Sequence, residues 1–230
     1  MINYPIVLTN MNRFSTCKKM VDDLFKLNGN SRITIIDNAS TYPPLLNWYD
    51  EIKNDVNVIR NQINEGPWAF FYGGTFSNIE DEVYIYSDAD LELNPNMPYN
   101  WQEIMLDYIK KYDRKASLAL RIDDIPDTYE FKKNIIDHQS VCWYESGEPN
   151  VYRAITDMTF SMDMKSNGHR YDSVRLGGDF MCRHMPWYID FNNISEDEAY
   201  YLQNINRGYD QAMYTSLHYD KLEQMSNNQK

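Results

Sequence analysis

The segment Glu82-Val83-Tyr84-Ile85-Tyr86-Ser87-Asp88-Ala89-Asp90 decides the fold class of this chain. Its first part is an almost continuous apolar run, which is typical of a strand buried on both faces of a parallel sheet. Two carboxylates, Asp88 and Asp90, follow directly at the C-terminal end of that strand. Ligands of open α/β sheets bind beyond the carboxyl ends of the strands. The segment therefore predicts a parallel sheet with a binding site at this edge.

Three similar units precede this segment. Strand-like runs begin at Pro5, Ile33 and Val56, and each ends in polar residues. Capping and periodicity predict three helices, from Ser15 or Thr16 to Leu27, from Leu45 to Ile52, and from Pro67 to Tyr72. Gly29 lies just past the end of the first helix. Four βα units indicate a mostly parallel sheet with helices on both faces. The polar clusters 9–13, 37–41, 64–66 and 88–90 then converge on one edge.

The second half of the chain has weaker periodicity. Residues 118–122 predict one strand and residues 151–164 predict one or two. Ser195 begins a capping box for a helix through Leu202, and the acidic runs 80–82, 123–124 and 196–198 are interpreted as solvated surface. We expect a single α/β domain over residues 1–222, divided into halves 1–98 and 99–222, with a disordered tail at 223–230.

Composition excludes several classes of protein. The 230 residues carry a formal net charge of −12, which disfavours binding to nucleic acid or anionic lipid. Three cysteines without a CxxC pair argue against a disulfide framework or zinc site and fit a reducing compartment. No apolar run approaches the ~20 residues of a membrane-spanning helix, and no signal peptide is visible. These features favour a soluble protein of the cytoplasm.

The pair Asp88 and Asp90 favours a metal site. Carboxylates one residue apart at a strand end can both reach one hard divalent cation. An acidic protein that binds an anionic ligand needs such a cation to offset the repulsion between the two.

The polar ends of the four predicted units contain Thr9-Asn10, Ile36-Asp37-Asn38-Ala39-Ser40, Asn64-Glu65-Gly66-Pro67 and Ser87-Asp88-Ala89-Asp90. In these stretches the first half of the chain resembles the nucleotide-binding half of GT-A fold glycosyltransferases. Residues 154–160 and 183–188 further resemble domains of multidomain bacterial and large-DNA-virus enzymes, including a chlorella-virus enzyme. Together the similar stretches span residues 5–205. The resemblance implies a Rossmann-like GT-A fold and transfer of a hexosyl or deoxyhexosyl group from a nucleotide sugar, with UDP as the expected nucleotide, to a glycan acceptor.

The resemblance also implies roles for individual residues. Those implied to bind the nucleotide sugar are Thr9, Asn10, Arg13, Asp37, Asn38, Asn64, Gly66, Asp88 and Ala89. Asp88 and Asp90 are the implied metal ligands, completed by either His184 or His218. Imidazole suits Mn²⁺ better than Mg²⁺, so Mn²⁺ is the first choice of metal and Mg²⁺ the second.

The reacting centre has two candidate carboxylates. Asp157 lies in a stretch similar to the family, whereas Asp179 follows two glycines and rests on chemistry alone. Trp187 and Tyr188 are candidates for stacking on the acceptor sugar. Two other function classes stay open: a sugar-1-phosphate nucleotidyltransferase, although Thr9 to Arg13 lacks the glycines of that class, and a non-catalytic carbohydrate-binding module.

Overall fold

The structure is a computed structural model that describes residues 3–28, 32–205 and 213–227. The strands are β1 Ile6–Asn10, β2 Ile33–Asp37, β3 Asn57–Arg60, β4 Val83–Asp88, β5 Leu91–Glu92, β6 Lys115–Leu118, β7 Tyr144–Glu145, β8 Val151–Ile155, β9 Ser161–Met164, β10 Asp172–Leu176 and β11 Arg183–His184. The helices are α1 Ser15–Asn28, α2 Pro43–Ile52, α3 Ala69–Tyr72, α4 Thr75–Asn78, α5 Trp101–Tyr112, α6 Lys132–Gln139, α7 Glu196–Gln203 and α8 Met213–Asn227.

The central sheet has nine strands among the described residues, in the order β3-β2-β1-β4-β9-β6-β10-β8-β7. Strands β1 to β4 pair in parallel. Strand β9 pairs antiparallel with both β4 and β6, so β6 runs in the same direction as β4, and β10 is parallel to β6. The predicted α/β class with a mostly parallel sheet is confirmed.

Alternate side chains of the parallel strands face two separate apolar layers. On one face, Ile6, Leu8 and Ile35 pack in the large core with α1, α2 and α5. On the other face, Val7 and Tyr86 pack with α3 and its neighbours. Helices therefore cover both faces of the sheet, as its period-2 apolar pattern requires.

The strand register aligns the polar strand ends in one row. Asp88 of β4 lies opposite Thr9 of β1, and Asn10 of β1 lies opposite Asp37 of β2. Asp37 in turn lies opposite Arg60 at the end of β3. The convergence of these residues at one sheet edge is thus a direct consequence of parallel pairing.

Two local predictions need correction. The strand expected at 118–122 is β6, which ends at Leu118; Leu120 makes only an isolated bridge to Cys182. The segment 223–230 is not wholly disordered, because α8 continues to Asn227 and its Met225 packs against the core. The remaining residues of that segment, and Gly29 beyond α1, lie outside the described ranges.

Two further observations bear on the setting of the protein. No helix within the described residues has the length and apolar character needed to cross a membrane. Cys17, Cys142 and Cys182 are all free thiols.

Candidate active site

A cavity of about 550 Å³ opens beside the end of β4. Its charged and aromatic lining brings together residues that are far apart in sequence: Asp88, Asp90, Asp157, Arg175, His184 and Trp187. They come from β4, the loop between β8 and β9, β10, and the segment around β11. The sheet edge thus forms a concave site whose lining includes the two carboxylates of the Asp88-Ala89-Asp90 motif.

Asp90 is buried and lies between two basic groups. Its Oδ2 accepts a hydrogen bond from Arg13 Nη1 at 2.7 Å and lies 3.5 Å from His184 Nε2. Burial raises the pKa of the Asp90 carboxyl, but the charges of His184 and Arg13 outweigh this and lower it to about 2. Asp90 Oδ1 is also buried and has no hydrogen-bond partner among the described residues. One oxygen of an ionised carboxylate is therefore left to bind a further group.

Arg13 is held in a buried ionic cluster and does not line the cavity. Its Nε and Nη2 each donate to the Glu198 carboxylate at 2.9 Å, and its guanidinium lies 3.8 Å from the centre of the Tyr201 ring. Burial lowers the pKa of Arg13, but Glu198 above all, with Asp90, raises it well above the ordinary value. The guanidinium is therefore a permanent cation next to Asp90.

The acidic run 196–198 is not solvated surface, so that interpretation was wrong for two of its residues. Glu198 is buried against Arg13, and Asp197 Oδ2 accepts hydrogen bonds from the backbone of Ser15 and Phe14 at the start of α1. Glu198 N also donates to Ser195 Oγ, as the capping box predicts. The same pattern of acids after a serine fits an exposed helix start and a buried one, so the sequence alone did not separate them.

The ends of β2 and β3 are joined by side-chain amides. Asn38 Nδ2 donates to Asn64 Oδ1 at 2.7 Å and to the carbonyl of Gly66 at 3.0 Å. Asn64 Oδ1 also accepts from the Gly66 backbone N–H at 2.7 Å, where Gly66 has a positive φ of 78°. Asn38, Asn64 and Gly66 are therefore brought together, and their network fixes the edge of the row formed by the strand ends.

Asp37 lies inside this row and is almost fully buried. Burial raises the pKa of its carboxyl, an effect opposed by Ser40 and by Arg60, whose Nε lies 3.5 Å from Asp37 Oδ2. Asp37 Oδ1 and Thr9 Oγ1 are buried without hydrogen-bond partners among the described residues.

Two other predicted nucleotide-binding residues are buried nearby. Asn10 donates its side-chain amide to the Tyr49 hydroxyl and to the backbone carbonyl of Arg13, and Ala89 is buried. Arg60 was not identified from the sequence, although its position at the end of a strand gave the same signal.

The candidate site residues from the second half of the chain lie in different parts of the structure. His184 and Trp187 line the cavity, with their ring centres 4.8 Å apart. His218 is not part of the lining; its Nε2 lies 2.6 Å from the Tyr129 hydroxyl in an aromatic pocket. Tyr188 is not part of the lining either; its hydroxyl donates a hydrogen bond of 2.5 Å to Asp124. Asp179 is exposed on a short 3₁₀ segment. The structure therefore brings His184, Trp187 and Asp157 to the site, and not His218, Tyr188 or Asp179.

The backbone at Asp157 is bonded by a buried lysine, Lys115, that was not predicted from the sequence. Lys115 Nζ donates to the carbonyl of Thr156 at 2.5 Å, to the carbonyl of Asp157 at 3.2 Å and to the Tyr86 hydroxyl at 2.7 Å. Burial lowers the pKa of Lys115 to about 8, while Asp157 and Asp163 act in the opposite direction. These bonds hold the backbone of the loop that carries Asp157.

We expect replacement of His218 by glutamine to make the fold less sensitive to acid. Burial lowers the pKa of the His218 imidazole to about 3, and the charges of Arg13 and His184 act in the same direction. The unfolded chain, with a histidine pKa near 6.5, then binds a proton that the folded chain does not. This contribution to the free energy of unfolding is fully present above about pH 6.5 and is lost as the pH falls below that value. The loss amounts to about 2 kcal/mol between pH 7 and pH 5.

Urea unfolding at pH 7 and pH 5 measures this difference. The His218→Gln protein should lose about 2 kcal/mol less than the wild type between the two pH values, whatever its stability at pH 7. His138→Gln provides a control, because His138 is exposed. Equal losses in the wild type and in His218→Gln would contradict the burial of a neutral imidazole.

The chemistry of the cavity fits a divalent cation in part. Asp88, Asp90 and His184 supply two carboxylates and an imidazole, the donor set that Mn²⁺ accepts, and Asp90 Oδ1 is available. The described residues contain no group of three such side chains already placed around one point. The protein thus offers part of a coordination shell and leaves the rest to a ligand, as is common for cations that bind phosphates.

Comparison with known proteins gives the family and the fold. The model of the family described as "Glycosyl transferase family 2" matches residues 6–166. A mannosyltransferase from Pyrobaculum calidifontis, PcManGT, solved with GDP-Man and Mn²⁺, is similar with a TM-score of 0.52 at 12% identity. GalNAc-T7, solved with UDP, GalNAc and Mn²⁺, is similar with a TM-score of 0.52 at 15% identity. No curated protein sequence matches the chain significantly.

These likenesses confirm the GT-A fold expected from the sequence. The mannosyltransferase alignment covers 87% of this chain and 60% of the mannosyltransferase; for GalNAc-T7 the shares are 80% and 44%. The chain thus spans about half the length of the solved proteins it matches. The finer resemblance to large-DNA-virus enzymes stays a prediction.

Proposed function

Because the chain belongs to glycosyl transferase family 2, we propose that it is a glycosyltransferase that transfers a hexosyl or deoxyhexosyl group from a nucleoside diphosphate sugar to a glycan hydroxyl, with a divalent cation. UDP is the proposed nucleotide. The observation that supports this most directly is the ionised, buried Asp90 with one available oxygen, beside Asp88 and His184 in a cavity large enough for a sugar. The neighbouring folds that were solved with Mn²⁺ and UDP or GDP-Man support the choice of ligands.

In this proposal the donor lies across the row of strand ends. Thr9, Asp37 and Asn64 face the nucleotide, because Thr9 and Asp37 retain buried oxygens without partners and Asn64 belongs to the amide network beside them. Asp88, Asp90 and His184 would hold Mn²⁺, or Mg²⁺ as the second choice. The bound cation would neutralise the diphosphate and favour its departure as a leaving group.

In the same proposal the acceptor occupies the cavity that Asp88 helps to line. Asp157 is the carboxylate that we assign to accept the proton of the attacking hydroxyl, since it lines the cavity and Asp179 does not. Lys115 acts as a positioning residue, because it bonds the Asp157 backbone rather than the reacting atoms. Trp187 supplies an apolar wall for the acceptor.

Thermal unfolding with a panel of nucleotides tests this function. At about 100 times its dissociation constant, UDP with Mn²⁺ should stabilise the protein by about 2.7 kcal/mol, which raises the melting temperature by about 5–10 °C. EDTA should remove the shift, and GDP and ADP serve as matched nucleotides. Release of UDP from UDP-sugars then identifies the donor.

The other function classes predict different results. A nucleotidyltransferase would consume a nucleotide sugar only with pyrophosphate, and a binding module would bind sugar without releasing UDP. If no nucleotide shifts the melting temperature with Mn²⁺ or Mg²⁺ present, the proposed metal-dependent binding of the donor is wrong.

A further inference from the structure

Arg175 is a buried cation on the wall of the cavity. It lies on β10, is 5% exposed, and lines the cavity together with Gln139 and Asp157. Its Nε donates to Thr156 Oγ1 at 3.0 Å, its Nη1 to Gln139 Oε1 at 3.1 Å, and its Nη2 to the carbonyl of Ile155 at 3.0 Å. All three acceptors are neutral.

The pairing of Arg175 differs from that of the other arginines with mostly buried side chains. Arg13 pairs with Asp90 and Glu198, and Arg170 pairs with Asp163. Within the described part of the chain, no carboxylate oxygen lies within 4.0 Å of the Arg175 guanidinium. A guanidinium has five N–H groups, so the three bonds leave two for a ligand. Burying a cation without a counter-charge is unfavourable, and such an arrangement is typical of a site that binds an anion.

The neutral acceptors also orient the guanidinium. Thr156 is itself fixed by Ser173, whose Oγ lies 2.6 Å from Thr156 Oγ1, and Gln139 ends α6. Nε and Nη2 bond the end of β8 and Nη1 bonds the end of α6, so the planar group is oriented before a ligand arrives. A preset fork suits the two oxygens of a carboxylate or phosphate.

The rest of the wall suits a sugar. Val141, Ile155 and Tyr171 line the cavity and are 58%, 68% and 45% exposed, which gives its mouth an apolar surface. Carbohydrate C–H faces pack on such surfaces. The charged side chains of the same lining include three carboxylates, Asp88, Asp90 and Asp157, and the guanidinium of Arg175. The cavity thus offers groups for a cation and a group for an anion.

We propose that Arg175, oriented by Gln139 and Thr156, recognises a carboxylate or phosphate group on the glycan acceptor. The acceptor of this enzyme is then an acidic saccharide. This inference rests on the proposed function, because it takes the cavity as the acceptor site, and it assigns to that site a specificity that the transfer reaction itself does not require.

Binding of simple sugars to the wild-type protein tests the proposal without any substitution. In EDTA, NMR titrations compare methyl β-D-glucuronide, D-glucose 6-phosphate and methyl β-D-glucoside, with inorganic phosphate as a fourth ligand. One acidic sugar should bind at least about tenfold more tightly than the neutral glycoside. Preference for the glucuronide or for the sugar phosphate identifies the anion. Equal binding of neutral and acidic sugars, no binding of any sugar, or inorganic phosphate binding as tightly as the acidic sugars would each overturn the proposal.

Two variants assign the preference to the side chain. Arg175→Gln should reduce the preference for the acidic sugar to less than about twofold, and Arg175→Lys should keep part of it. Arg153→Gln, the same change at an exposed position of the neighbouring β8, should keep all of it. A preference that survives Arg175→Gln excludes this residue. The UDP and Mn²⁺ melting shift of the wild type is measured in parallel, so a failure of donor binding is seen separately from a failure of acid recognition.

Discussion

Replacing Asp90 with asparagine is expected to remove Mn²⁺-dependent UDP binding and to lower the transfer rate by at least about 10²-fold. The substitution keeps the size of the side chain but removes the charge that a divalent cation needs. The structure adds that one oxygen of Asp90 is already engaged by Arg13 at 2.7 Å and that the other is available. A neutral amide at position 90 therefore weakens ligand binding more than it destabilises the fold, because the Glu198 carboxylate still neutralises the charge of Arg13.

The measurements are the melting shift with UDP and Mn²⁺ and the rate of UDP release. Asp163→Asn is the matched control, since Asp163 is also buried and paired with an arginine, Arg170, but does not line the cavity. The control should lower the melting temperature and keep the UDP shift. An Asp90→Asn protein that binds UDP and Mn²⁺ as the wild type does would falsify the assignment of Asp90.

The first half of the fold was predictable because its signals are local. Strands β1, β2 and β4 are short buried runs followed by polar residues, so the sequence shows both the strand and its end; the edge strand β3 is only partly buried but also ends in a polar residue, Arg60. Parallel pairing then places Thr9, Asp37 and Asp88 in one row without further information. Sequence reasoning works here because the apolar pattern and the chain order carry the whole topology.

The second half was less predictable because its strands bury polar side chains. Ser117 of β6 bonds Ser161 of β9 at 2.7 Å, and Lys115 at the start of β6 bonds Tyr86 of β4. These polar groups are satisfied by partners distant in sequence, so the strands lack the apolar pattern that would reveal them. The predicted strand was displaced to 118–122 for this reason, and β10, which carries Ser173 and Arg175, was not predicted.

The same limit applies to the site. Asp88 and Asp90 could be found from their strand, whereas Arg175 and Glu198 act at the site only because β10 and α7 fold back on it. The choice between His184 and His218 is also a matter of tertiary structure: both are isolated histidines in the sequence, and only His184 reaches Asp90. Residues with a role defined by a distant partner have no signature in a single sequence.

Substituting Arg13 with methionine is expected to destabilise the fold by about 3–5 kcal/mol, which lowers the melting temperature by about 6–20 °C. Arg13 is the shared partner of two buried carboxylates, Asp90 and Glu198; without it Glu198 would lose its cation and Asp90 would keep only His184. Arg32→Met is the matched control, because Arg32 makes a similar bidentate pair with Asp81 at the surface. An exposed pair contributes only about 0–1 kcal/mol, so the control should melt close to the wild type.

A second substitution in the same cluster tests the cause of this loss. If the loss arises from an uncompensated Glu198, then adding Glu198→Gln to Arg13→Met should cost less than the two single changes together, with a coupling of about 0.5–3 kcal/mol measured by urea unfolding. Additive losses would show that Arg13 acts through packing on Tyr201 instead. Removing the guanidinium also removes a positive charge next to Asp90, so the folded Arg13→Met protein should bind Mn²⁺ at least as tightly as the wild type. Weaker Mn²⁺ binding would instead mean that Arg13 orients Asp90 as a ligand, which makes this variant a direct measure of how the buried cluster supports the site.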